Sequence, residues 1–242
     1  MRRLLIAIAA VLTLAAAPVD DARELMEAGR DREAFALIER AAAVDDADAI
    51  DYLAWFYDEG RVVAQDRGRA ATLYRRAAER GQRHAQWRLG VMLDLGEGVR
   101  ADPAEAVQWF RRAAAAGSPR AHVSLAVMHA TGRGVPVNYA EAMRLYREGA
   151  RLGDAHGFYG VGVLYSRAEG VPRDMQEAFA WFAVAASLGD EDGARALNST
   201  GLGPAEAERA VARANEIRRE FRVEGPPIQF ENADEERPDP TV

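Results

Sequence analysis

Gly81, Gly117, Gly153 and Gly189 follow one another at an unvarying step of 36 residues. Ala70, Ala106, Ala142 and Ala178 keep that step, and so do Asp66, Asp102, Asn138 and Asp174. Tyr74, Phe110, Tyr146 and Phe182 form an aromatic row, preceded by Leu73, Trp109, Leu145 and Trp181. Upstream, Leu53, Leu89, Leu125 and Val161 are in phase, as are Tyr57, Leu93, His129 and Tyr165. No insertion or deletion interrupts the four copies. A period of this length marks an array of supersecondary units, each unable to bury its apolar face alone. It excludes one or two compact domains built around a central core, which the 242-residue length alone would suggest.

Each copy reads as two antiparallel helices. In the second, Ala85, Leu89, Met92 and Leu93 share one helical face, and Gly96 and Gly98 break the pattern. Asp102-Pro103-Ala104-Glu105 then starts a helix. Asp102 can accept from free N–H groups, Pro103 suits the first turn, and Glu105 can reach back in a capping box. Asn138 with Glu141 and Asp174 with Glu177 repeat this; Asp66 has Arg69 instead and predicts a weaker start. Ala106, Trp109, Phe110, Ala113 and Ala114 form the next apolar stripe, which Gly117 ends. Small residues such as Ala77, Ala78, Ala185 and Ala186 let helices approach, and the aromatic row fills the space between. The expected fold is all-α: a right-handed superhelical α-solenoid of stacked antiparallel helix pairs, four 36-residue repeats plus caps.

The pattern resembles the Sel1-like repeat family, relatives of the tetratricopeptide repeats. The second copy supplies Ala85, Leu89, Gly90, Leu93, Gly96, Gly98, Val99, Asp102, Ala106, Trp109, Phe110, Ala113, Ala114 and Gly117. The fourth supplies Val161, Gly162, Tyr165, Gly170, Val171, Asp174, Ala178, Trp181, Phe182, Ala185, Ala186 and Gly189. Departures are Ala54 and Ala126 for the first glycine, His129 for a tyrosine, and Gly149 for an alanine. Val62 stands where the second loop glycine belongs, which predicts a differently shaped first loop.

The expected organisation is a signal peptide over 1–17, a helical cap over 18–45, repeats at 46–81, 82–117, 118–153 and 154–189, a second helical cap over 190–221, and a disordered acidic, proline-rich tail over 222–242. Arg2 and Arg3, the apolar run Leu4 to Leu14, and Ala15 to Ala17 have the three-part layout of a secretory signal. Ala34, Leu37, Ile38, Ala41 and Ala42 form a degenerate half-repeat. Ala207, Ala210, Val211, Ala214 and Ile217 line one face of a terminal helix opened by Pro204. Periplasmic or secreted localisation follows from the signal, with membrane contact only through a partner or an uncleaved signal.

Chemistry is sparse. Zero cysteine removes disulfides, thiolate metal sites and cysteine nucleophiles, and the net charge of -7 opposes general nucleic-acid binding. Four histidines (His84, His122, His129 and His156) lack metal-ligand spacing, and His129 is expected as a packed, hydrogen-bonded residue. No catalytic or nucleotide-binding motif occurs. No cofactor, metal or enzymatic activity is therefore expected. What remains is the face of each first helix turned away from the core. Its rows are Asp48, His84, Arg120 and His156; Asp51, Trp87, Val123 and Tyr159; Trp55, Val91, Val127 and Val163; Asp58, Asp94, Ala130 and Ser166; and Glu59, Leu95, Thr131 and Arg167. In solenoids of the tetratricopeptide kind this face lines the concave groove. The candidate partner-binding residues are Asp51, Trp55, Glu59, Trp87, Val91, Asp94, Val127, Tyr159 and Val163, an apolar row with an acidic N-terminal rim suited to a basic protein or peptide. The expected function is an exported, non-catalytic protein-interaction scaffold. Two alternatives stay open: a cell-wall or β-lactam-acting hydrolase, as some cysteine-rich secreted relatives imply, and an envelope signalling regulator.

Overall fold

A computed structural model describes residues 18–229; residues 1–17, where a signal peptide is expected, and residues 230–242 of the expected tail lie outside the described residues. The described chain holds twelve helices and no strand. They are α1 (Pro18–Glu27), α2 (Asp31–Ala43), α3 (Ala47–Glu59), α4 (Arg67–Glu79), α5 (Arg83–Leu95), α6 (Pro103–Ala115), α7 (Pro119–Thr131), α8 (Tyr139–Arg151), α9 (Ala155–Arg167), α10 (Met175–Ser187), α11 (Glu191–Asn198) and α12 (Pro204–Phe221). The chain divides into two compact halves, meeting in sequence at Ala116 and Gly117. In the N-terminal half each of α1 to α5 packs on the next, as expected when neighbours must supply each other's core. In the C-terminal half α7 to α10 pack in the same order, and α11 and α12 both cover α10.

The helix starts follow the sequence. Side chains of Asp46, Asp66, Asp102, Ser118, Asn138, Asp154, Asp174 and Asp190 each accept from a backbone N–H of the first turn. Such a cap contributes about 1 kcal/mol. Asp66 caps as its counterparts do, through Arg69 N at 2.8 Å, so the weak start predicted for the first repeat is not observed. The capping box is half-built. Glu105 N donates to Asp102 Oδ1 (2.9 Å), but the Glu105 carboxylate accepts from Arg75 and from Trp109 Nε1 (3.0 Å). Glu177 likewise binds Arg213 and Trp181 Nε1. In both boxes a guanidinium from another helix takes the carboxylate in place of the helix's own N-cap amide: Arg75 through one donor, Arg213 through two, each adding a full positive charge that the amide lacks.

The loop inside each repeat closes the same way four times. Asp66 N donates to Tyr57 O, Asp102 N to Leu93 O, Asn138 N to His129 O, and Asp174 N to Tyr165 O, at 2.8 to 3.2 Å. Gly60, Gly96 and Gly132 end the first helices in the left-handed conformation, and Ala168 adopts it too. Two residues further on, Gly98, Gly134, Gly170 and Val62 all have positive φ. The first loop is therefore not reshaped by Val62; the valine takes the glycine backbone at φ 72°.

Apolar burial follows the period. Trp181, Tyr74, Phe110 and Leu89 are fully or almost fully buried. The terminal helix buries Ala207, Ala210, Val211, Ala214 and Ile217 together with Arg218 and Phe221. His129 is half-buried, but its Nδ1 has no hydrogen-bond partner among the described residues, against the bonded side chain expected. The described start of the tail also differs from a disordered segment. Asn215 Nδ2 donates to Ile228 O and Ile228 N donates to Asn215 Oδ1, both at 2.9 Å, so this stretch lies against α12.

Candidate functional site

Within the N-terminal half, Asp51, Tyr52 and Trp55 project from consecutive turns of α3. With Met26 of α1 and His84 of α5 they line a cleft of about 380 Å³. The spacing is helical: residues three and four apart share a face. The cleft walls are aromatic and its charge is a carboxylate. Both Asp51 oxygens lie 3.0 Å from His84 Nδ1. The His84 ring neighbours Tyr74 on one side and Trp87 on the other, each 6.1 Å away between centroids.

Two arginines of the chain touch the aromatic lining. Arg23 Nη2 donates to Tyr52 Oη (2.9 Å), and the Arg23 guanidinium lies 5.9 Å from the Tyr52 ring. The Arg61 guanidinium lies 5.7 Å from the Trp55 ring. Each is paired with its own acid, Arg23 with Asp20 and Arg61 with Asp31. These rings thus present faces that guanidinium groups already approach. The surrounding sequence is strongly acidic: residues 18–60 carry thirteen acids against four arginines.

The structure brings only part of the expected row together. Asp51 and Trp55 line the cleft, and Trp87 adjoins it through His84. Glu59 is exposed at the end of α3, and Val91 and Asp94 are half-buried further along α5; none of the three lines the cleft. Asp58 is not a rim acid. It is 3 % exposed and its carboxylate accepts from Arg88 Nε at 2.7 Å. In the C-terminal half Val127 of α7 and Tyr159 and Val163 of α9 are half-buried, with the Tyr159 ring 5.6 Å from Phe182. Met26 and Tyr52 were missed from sequence. Tyr52 stands one residue from Asp51 and three from Trp55, so the helical face could have been drawn to include it. Met26 lies in a cap without repeat phase, and nothing local places it.

Among the described residues no group of three or more His, Asp or Glu side chains could hold a metal ion. No described helix is long and apolar enough to cross a membrane.

Comparison with known proteins places the repeat. The Sel1 repeat model matches residues 47–82, 83–118, 119–154 and 158–190, more than half of the chain. No curated protein matches. Among solved structures, a Sel1 repeat protein from Oxalobacter formigenes is 29 % identical, with a TM-score of 0.70, over 82 % of this chain and 84 % of its own. A protective antigen of uropathogenic Escherichia coli strains, displaying an SLR fold, is 25 % identical with a TM-score of 0.79. That alignment covers 95 % of this chain and 53 % of the antigen, so the chain spans about half of the antigen's length. Four tandem matches, each falling on a capped helix pair, show that this chain belongs to the Sel1-repeat family, whose members generally act as scaffolds for protein–protein interaction.

Proposed function

We propose that the chain is an exported, non-catalytic scaffold that holds a partner protein through the cleft of its N-terminal half. The carrying observation is the cleft itself: Trp55, Tyr52 and Met26 around one carboxylate, Asp51, in the most acidic stretch of the sequence. A basic side chain of an extended partner segment fits it. Its stem packs on the indole and thioether, and its cation meets Asp51 and the ring faces. The two paired arginines over Tyr52 and Trp55 support this, because they make the same kind of contact from within the chain. Export is supported by the charged start, apolar run and small residues of positions 2–17. Val127, Tyr159 and Val163 of the C-terminal half would offer apolar partner contacts of their own.

A fluorescein-labelled dodecapeptide of alternating arginine and leucine tests the cleft, with glutamate replacing arginine in the control. The expected result is saturable binding of the arginine peptide, weakened about tenfold by Trp55→Ala and by Asp51→Asn. The helical circular-dichroism spectrum should stay unchanged in both variants. Equal affinity in wild type and both variants would remove the cleft from the interaction.

A further inference from the structure

The C-terminal half contains a second cavity, of about 460 Å³, at the end of α12, and its chemistry is opposite to that of the aromatic cleft. Arg218, Arg219 and Arg222 line it, together with Asn215, Glu224 and Pro227. Arg218 is only 6 % exposed. Its Nη1 donates to Ser187 Oγ (2.8 Å) and its Nη2 to the Glu224 carbonyl (2.7 Å), both neutral acceptors. Among the described residues no carboxylate forms an ion pair with Arg218, Arg219 or Arg222. Earlier on the same helix Arg213 behaves differently, pairing with both Glu177 and Glu216. Cations at a helix C-terminus complement its dipole, which accounts for the exposed Arg219 and Arg222. It does not account for withdrawing a third guanidinium from water without a counter-charge, which carries a desolvation cost.

The same face also recognises backbone. The Asn215 amide pairs with both main-chain groups of Ile228, as one strand pairs with another, and such a clamp holds extended chain whatever its side chains. We propose that this cavity is a carboxylate-binding site for an acidic peptide segment of a partner protein. The exposed Arg219 and Arg222 would take its carboxylates through charge-assisted, two-pronged hydrogen bonds, and the buried charge of Arg218 behind them would strengthen the attraction.

Fluorescein-labelled hexaglutamate, with hexaserine as control, tests this on the full chain by anisotropy at about 50 mM salt, where screening is modest. The expected result is saturable binding of hexaglutamate alone. The double variant Arg219→Gln/Arg222→Gln, which alters only exposed side chains, should weaken it at least about tenfold. Arg218→Met should abolish it; if that variant fails to fold, the double variant decides. Trp55→Ala should leave it unchanged, which separates this site from the aromatic cleft. No binding of hexaglutamate, or equal binding by the double variant, overturns the proposal. Binding only after removal of residues 230–242 would return the site to the chain's own acids and overturn the partner.

Discussion

Asp45 holds the repeat phase of Gly81, Gly117, Gly153 and Gly189, and adopts their left-handed backbone at φ 71°. Aspartate tolerates this region better than most side chains. Its carboxylate accepts from Arg80 Nε at 3.0 Å and from Arg76, and these two guanidinium groups, Arg80 first, hold it below the ordinary carboxylate range. Val62 has no such compensation. A branched side chain at φ 72° is strained by roughly 1–3 kcal/mol, part of which a glycine would return as chain entropy. Val62→Gly is therefore expected to stabilise the protein by about 1 kcal/mol. Urea denaturation would show this as a higher midpoint with unchanged slope, and a lower midpoint would contradict it. Site residues were legible to the same degree as their backbone phase. Asp51 and Trp55 could be found because the repeat fixed which face of α3 they occupy. Asp58 was misassigned because its partner Arg88 lies thirty positions away on α5, and an ion pair across helices leaves no mark in helical spacing.

Pairs of helices show a division that the family pattern alone does not explain. Repeats with glycine in the first helix have phenylalanine in the second: a Cβ at Gly90 would come within 2.6 Å of Phe110, and one at Gly162 within 2.6 Å of Phe182. Repeats with Ala54 or Ala126 have tyrosine there instead. Those rings lean toward the following helix, Tyr74 lying 6.1 Å from His84 and Tyr146 lying against Gly160. At Gly157 the approach is to backbone, since a Cβ would meet Ala150 N at 2.5 Å and Tyr146 O at 2.7 Å. Gly157→Ala should cost at least about 2 kcal/mol, because main-chain atoms cannot swing aside as a side chain can. A melting temperature within a degree of wild type would show that α8 and α9 can separate freely. Helix existence and boundaries were readable from caps and period. The half-built capping boxes were not, since the residues that claim Glu105 and Glu177 belong to helices distant in sequence.

Across the whole chain every one of the 31 basic residues is arginine. Between about pH 9.5 and 11.5 tyrosine is thus the only side chain that changes charge. Burial pushes the Tyr146 hydroxyl up to about 12 and raises those of Tyr74 and Tyr165 as well. The unfolded chain loses these protons near pH 10 while the folded chain keeps them, so alkali favours unfolding. Stability should hold nearly constant from about pH 8 to 9.5 and then fall above pH 10. The limiting slope is about 1.4 kcal/mol per pH unit for each buried tyrosine. Tyr146→Phe should flatten the fall, and a melting temperature constant from pH 8 to 11.5 would refute the account. The same absence of lysine governs how a bound partner can be trapped. Succinimidyl esters and aldehyde fixatives need primary amines, and no side chain of this protein offers one. Such reagents would knit the partner to itself and could reach this chain only at its α-amino terminus, whereas carbodiimides, acting on its many carboxylates, or photoreactive groups set beside Trp55 or Arg219 would record the contact.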